Sequence, residues 1–300
     1  MKLFVIGNGF DLAHNLPTAY SNFRAFLKKR YGESSYLPLP QSTFMPDGEI
    51  RSDKKTDAQI LLWLIDNSSD DSRWGTFEHT LGELSYSELF ESDYDDDDDH
   101  EPFRQIYQNE DAIADYSLSF QNFPSLFVEW IKSIQYDPKD LFQEKYGQLF
   151  KDGLFLSFNY TDVLERVYGI GETVICHIHG RIGEKLVFGH TNEESPIEQN
   201  FLMGEGFASI QSMHEALFKD TNKCLNQNRS FFDKMSNVDE IFFLGWGMNE
   251  EDAVYLQKIK EMIGERHIIV HFTEFEAKTS GFQNKLEKLS GLDFCLGETV

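Results

Sequence analysis

Leu3-Phe4-Val5-Ile6-Gly7-Asn8-Gly9-Phe10-Asp11-Leu12-Ala13-His14 decides how the rest of the chain is read. Residues 3–6 form an unbroken run of apolar β-formers bounded by glycine, the pattern of a strand buried on both faces in a parallel sheet. Gly7 and Gly9 allow a tight turn and close backbone approach. In an open parallel sheet, ligands lie beyond the carboxyl ends of the strands, where this turn falls. The third glycine of a dinucleotide fingerprint is absent, since position 12 is Leu. What marks the turn is its polar content, Asp11 and His14. The bland alternative is an aspartate that caps the next segment.

Alternation of strand and helix returns in the second half. Residues 154–158, 173–178, 185–188, 240–244 and 266–272 read as strands, and 161–168, 195–235 and 250–263 as helices. Strands separated by helices imply right-handed parallel crossovers. The fold expected is α/β, a Rossmann-like parallel sheet with helices on both faces. A discontinuous core of residues 1–35 and 150–300 is interrupted after its first βα unit by a mostly helical insertion, 36–149. Within the insertion, 32–57 read as irregular, 58–66 and 76–84 as short helices, and 93–100 as a solvated acidic loop. A helix over 18–29 would place Tyr20, Phe23, Leu27 and Tyr31 on one face.

Several strand ends carry polar groups. They are Asp11 and His14 after the first strand, then Asn159-Tyr160-Thr161-Asp162 with Glu165, then His177-Ile178-His179-Gly180. Gly189-His190 follows residues 185–188, and Gly245-Trp246-Gly247 with Asn249 and Asp252 follows 240–244. Together on one rim these predict a site. Each has a structural alternative. Asp162 with Glu165 has capping-box spacing. His177 and His179, two apart, would share a strand face as a metal pair, a catalytic residue with a neighbour, or two structural histidines. Asn249 could cap the next helix.

Composition narrows the partners. The chain has 27 basic and 51 acidic residues, a formal net charge of −24, which disfavours nucleic acid and anionic membranes. No apolar run approaches membrane-spanning length, and no leader is expected at the start. Three scattered cysteines (Cys176, Cys224, Cys295) exclude a Cys-x-x-Cys zinc module and suit a cytoplasmic protein.

The segment from Gly7 to His14, followed by Leu16-Pro17-Thr18 and Tyr20, resembles the signature of the AbiH family of bacteriophage abortive-infection proteins. Trp74-x-x-x-Glu78, Ser157-Phe158-Asn159-Tyr160-Thr161, His177-Ile178-His179-Gly180 and Phe188-Gly189-His190 fit the same family. A more distant resemblance is to sirtuin-like NAD-cleaving domains. It implies that Asn159 positions water or polarises the nicotinamide riboside, that His179 acts on a ribose hydroxyl or the water, and that Gly7, Asn8 and Gly9 approach phosphates through backbone N–H groups. Asp162 falls one residue later than the sirtuin aspartate, and zinc cysteines are missing.

The expected function is a phage-defence enzyme that binds a nucleotide or NAD as substrate and cleaves a glycosidic or phosphate bond. Asn159, His179, Asp11 and Asp162 would be catalytic. Gly7, Asn8, Gly9, Phe10, His14, Tyr160, Thr161, Gly180, His190, Gly245, Trp246 and Asp252 would contact the nucleotide, and no metal is assigned. Trp74 and Glu78 could join from the insertion. A phage-derived trigger and a homo-oligomer are compatible with this reading. The alternatives are a metal-dependent hydrolase using His177, His179, His190 and Asp11, and a non-catalytic nucleotide or phage-component sensor.

Overall fold

A computed structural model describes residues 1–68, 76–90, 101–194, 197–199 and 201–300, with no side-chain description at 101–102. Trp74 and the acidic run at 93–100 lie outside the described residues. Strands among the described residues are, in chain order, β1 (Lys2–Ile6), β2 (Ser42–Phe44), β3 (Ile50–Ser52), β4 (Leu154–Ser157), β5 (Ile175–His177), β6 (Glu240–Leu244), β7 (His267–Phe272) and β8 (Asp293–Leu296). The chain divides into two units. The first comprises Met1–Ala19, Ile131–Val187 and Asp220–Val300, and the second Tyr20–Trp130 and Phe188–Lys219.

The first unit is a Rossmann-like α/β fold. Its six strands are all parallel, in the order β5-β4-β1-β6-β7-β8. The chain steps outward from β1 to β4 and β5, then returns to β6 on the other side of β1. Strand order therefore reverses between β1 and β6, the switch point at which such sheets place ligands. Leu3 to Ile6 are buried, as are all four residues of β4 and Ile241 to Leu244 of β6, so the central strands are covered on both faces. Phe4 stacks on Phe155 of β4 at 4.8 Å and on Phe242 of β6 at 5.0 Å, an aromatic ladder across three strands.

Three expectations are corrected here. Residues 185–188 form no strand. Val187 donates its N–H to the His179 carbonyl (2.8 Å), but Gly180, Gly183 and Gly189 all have positive φ, so no ladder propagates. The segment 195–235 is not one helix but Gly206–Ala216, Thr221–Gln227 and Arg229–Phe232 with 3-10 turns. The break comes at Asp220, whose side chain accepts from the Lys223 N–H and starts a new helix. An unforeseen sixth strand, β8, closes one edge.

In the second unit, the helix Tyr20–Tyr31 buries Phe23 and Leu27, and Phe127 stacks on Phe188 at 4.2 Å. The segment read as irregular contains the antiparallel hairpin β2–β3, then Asp53, which caps the helix Lys54–Asn67. Lys219 is fully buried and pairs with Glu78 at 2.6 Å, while Tyr20 donates to the other Glu78 oxygen at 3.0 Å. Removing one member of a buried pair costs more than replacing both. Lys219→Met is expected to lower urea-unfolding stability by about 3 kcal/mol, and Lys219→Met with Glu78→Gln to recover most of it. A single-variant cost under about 1 kcal/mol contradicts this reading. Among the described residues no helix is long and apolar enough to cross a membrane.

Candidate functional site

All of the strand-end side chains above except His190 belong to the first unit. Their arrangement begins with glycine. Gly7 donates to Leu244 O (3.1 Å) and Gly9 to Gly245 O (2.9 Å), joining the loops after β1 and β6 backbone to backbone. A Cβ on Gly7 would lie 2.4 Å from the Trp246 Cα. The Gly7 and Gly9 amides are thus donated within the protein, so these glycines serve loop-to-loop packing at the switch point. Asn8 donates its side-chain amide to Thr18 O at 3.0 Å. The short helix Asn8–Ala13 then starts at once, with Gly7 as its N-cap.

That helix turns Asp11 inward, to 1% exposure. Thr161 donates to Asp11 Oδ2 at 2.7 Å, while Asp11 Oδ1 has no partner. Burial raises the Asp11 pKa to about 7, against the opposing effects of Thr161, Asn159 and the nearby His177 charge. Asn159 is 6% exposed, and neither Oδ1 nor Nδ2 of its side chain has a partner. Its backbone is fixed instead: the N–H donates to Ser157 Oγ (3.2 Å), and the carbonyl accepts from His177 Nδ1 (3.1 Å). Buried polar atoms are nearly always paired. Three unpaired ones on two neighbouring side chains, at the ends of β1 and β4, therefore mark one place where hydrogen-bonding demand is unmet; Asp57 Oδ1 and Ser119 Oγ in the second unit are others.

Around this pair sits a charged frame. His177 Nε2 meets Glu165 Oε1 at 3.0 Å, and Arg181 binds Glu165, Glu172 and Glu184. Burial opposes ionisation of Glu165, but His177 and Arg181 outweigh it and hold the carboxyl below its usual range. Asp162 is the N-cap of the helix Val163–Tyr168 without a side-chain cap bond; it accepts from the Tyr136 hydroxyl. No capping box forms, because Glu165 is held by His177 and Arg181.

His177 and His179 do not share a face. β5 ends at His177 and the chain turns at Gly180, where a Cβ would lie 2.3 Å from Lys185 O. His179, 3% exposed, meets the Tyr255 hydroxyl at 3.0 Å and lies 3.9 Å from Asp252. Asp252 also accepts from Trp246 Nε1 at 3.3 Å, and Trp246 stacks on Phe158 at 4.7 Å. His179 thus belongs with Tyr255, Asp252 and Trp246, and His177 with Glu165. Tyr160 donates to Val187 O at 3.0 Å.

Two other candidates lie elsewhere. His14 donates from Nδ1 to Phe10 O (2.7 Å), meets the Tyr168 hydroxyl through Nε2 (2.5 Å) and packs on Phe10 at 4.4 Å. Burial lowers its pKa, which suits a neutral ring in an aromatic cluster. His190 is in the second unit. Its Nε2 pairs with His214 O at 3.0 Å, and the two rings are 4.0 Å apart. The grouping of His177, His179, His190 and Asp11 offered for a metal draws on both units. Among the described residues no three His, Cys, Asp or Glu side chains gather to hold one.

Three participants escaped the sequence reading. Tyr255 carries no local signal, since its role comes from packing in the core against Phe158 and His179. Arg181 follows Gly180 and reads as an ordinary surface charge. Glu276 does have a signal, the Thr273-x-x-Glu276 capping box, which forms. That carboxylate is 4% exposed, accepts from the Gly245 N–H (3.2 Å) and pairs with Lys285 at 2.6 Å, bracing the loop after β6.

A family model described as "Bacteriophage abortive infection AbiH" matches residues 3–273. No curated protein and no solved structure matches the chain, and the sirtuin-like resemblance gains no support from these comparisons.

Proposed function

Because the chain belongs to the AbiH family of bacteriophage abortive-infection proteins, we propose that it serves phage defence as an enzyme that cleaves a nucleotide, with Asp11 and Asn159 at the reacting centre. The observation that carries this reading is the trio of unpaired buried atoms, Asp11 Oδ1 and both polar atoms of the Asn159 side chain, beyond the carboxyl ends of β1 and β4.

The chemistry follows from their types. In water-driven cleavage of an N-glycosidic bond, the bond from the ribose carbon to the base breaks as the water oxygen bonds to that carbon. The electron pair of the broken bond leaves with the base. Positive charge builds on the sugar, and a carboxylate beside it stabilises that charge. Asp11, with a pKa of about 7, can take the proton that the water loses at neutral pH. Asn159 supplies one donor group and one acceptor, enough to orient the water or the leaving amide. His179, with Tyr255 and Asp252 behind it, contacts a ribose hydroxyl. Asp162 adds negative potential. The same base and orienting carboxamide would serve attack of water on a phosphate ester, so NAD, NADP and ATP are all candidate substrates.

The test is to incubate the purified chain with each of these nucleotides, with and without extract from phage-infected cells, and to separate the products by chromatography. At least one nucleotide is expected to be cleaved, and Asn159→Ala to slow cleavage by about a hundredfold or more. If no nucleotide is consumed under either condition, or if Asn159→Ala cleaves as fast as the native chain, the catalytic reading fails. Binding without consumption would favour the sensor.

A further inference from the structure

Beside the carboxyl end of β6 lies a cavity of about 230 Å³ to which the proposed chemistry assigns nothing beyond Trp246 and Asp252. Its apolar wall is Met248 and Leu256 with the edge of Trp246, and Asn249 and Gln257 line it from the exposed side. Neither of those carboxamides makes a hydrogen bond among the described residues, so each offers a donor and an acceptor together. Lys260 and Lys288 also line it. Lys260 donates to Ser290 O at 2.8 Å and Lys288 to Met248 O at 2.7 Å, which leaves two N–H donors on each ammonium.

Two features bear on what this cavity would hold. Glu250 and Asp252 line the cavity as well, so its charges balance, and Lys260 and Lys288 are the groups in it that can hold an anion. Met248 has φ of 53°, a left-handed conformation unusual for a non-glycine residue, and the Lys288 bond to its carbonyl holds it there. Such strained positions gather at ligand sites. Burial also depresses the Lys260 pKa, a cost that a bound anion would offset.

From this chemistry we infer that the cavity binds the nucleoside monophosphate portion of a nucleotide. The base lies on Met248 and Leu256, with its edge read by Asn249 and Gln257. Asp252, already held by Trp246, accepts from a ribose hydroxyl, and Lys260 and Lys288 hold the phosphate. The volume lies below the roughly 300–1,000 Å³ usual for whole small ligands, so it suits one mononucleotide rather than a dinucleotide. A sugar phosphate alone would leave the apolar wall and both carboxamides without partners. The inference rests on the nucleotide reading above, of which it specifies one half of the substrate.

Calorimetric titration of the whole chain with AMP tests it. AMP is expected to bind at one site, at least tenfold more tightly than adenosine or inorganic phosphate. Lys260→Met with Lys288→Met should weaken AMP at least tenfold. Gln257→Glu, on an exposed side chain whose replacement leaves packing intact, should weaken it several-fold. Lys278→Met, which removes an exposed charge away from the cavity, should leave AMP binding unchanged. No AMP saturation at millimolar concentration, phosphate binding as well as AMP, or cavity variants that bind AMP like the native chain would each overturn it. AMP binding that depends on the cavity in a chain that consumes no nucleotide leaves this site standing and removes the catalytic reading. Nucleotide consumption without AMP binding does the reverse.

Discussion

Asp11→Asn should make the protein more stable at pH 8 while removing its activity. The native carboxyl is raised from 3.8 to about 7, with burial as the largest cause. Below pH 4 both the folded and unfolded chains carry the proton, and the group costs nothing. Between pH 4 and 7 the unfolded chain releases its proton while the folded chain keeps it, so stability falls. Above pH 7 the full penalty is present, about 4 kcal/mol at most. Asparagine has no such ionisation. Its oxygen can still accept from Thr161, and its amide can donate to the unpaired Asn159 Oδ1. The stability difference between variant and native chain should therefore grow from pH 4 to pH 7 and then level off. Asp57 in the second unit, also raised by burial, to about 6, contributes to both proteins and cancels. Urea unfolding across this pH range measures the difference, and loss of nucleotide cleavage by about a hundredfold or more should accompany it. A buried acid that weakens the fold but is kept for its chemistry fits the trade-off between stability and activity. A variant less stable than the native chain at pH 8 would show that Asp11 is structural.

Gly245→Ala should come close to unfolding the first unit. Gly245 has φ of +73°, and a Cβ there would sit 2.3 Å from Phe10 N, 2.4 Å from Gly9 C and 2.6 Å from Gly9 Cα. None of these atoms is the flexible end of a side chain. Either the loop after β6 separates from the helix Asn8–Ala13, breaking the Gly9-to-Gly245 hydrogen bond, or the strain remains. Backbone strain and overpacking together cost about 5 kcal/mol, comparable with the whole stability of many domains. The expected result is an insoluble chain, or one whose urea midpoint falls sharply. Gly169→Ala, where a Cβ meets nothing within 4 Å although φ is +69° in the left-handed region, isolates the strain component and should cost about 1 kcal/mol. Equal effects from the two would mean that close approach at the switch point is unimportant.

These two positions also show what a single sequence can convey. Residues 3–6, 154–157 and 240–244 are short apolar runs that end in a glycine or polar turn, so buried parallel strands were legible from local pattern. Asp11, Asn159 and Thr161 stood out because each follows such a run, and they do meet. Residues 185–188 carry a similar apolar content, yet the glycines around them take positive φ and the backbone bonds only once. β8 was missed for the opposite reason: at the sheet edge, Asp293, Cys295 and Leu296 are exposed, so the run lacks a burial pattern. The partition of His177 to Glu165 and of His179 to Tyr255 depends on where β5 stops. Element ends are the feature that local pattern fixes least well, and a one-residue change there redirects every later side chain.

The most direct test of the central claim is to follow nucleotide pools and survival in phage-infected cells that carry the native chain, Asp11→Asn or Asn159→Ala at matched protein levels. The account predicts that infection depletes a nucleotide pool and phage yield falls only with the native chain. Both variants, folded and abundant, should leave the pool intact and the phage unhindered. Full protection by either variant would contradict the assignment of this buried pair as the reacting centre.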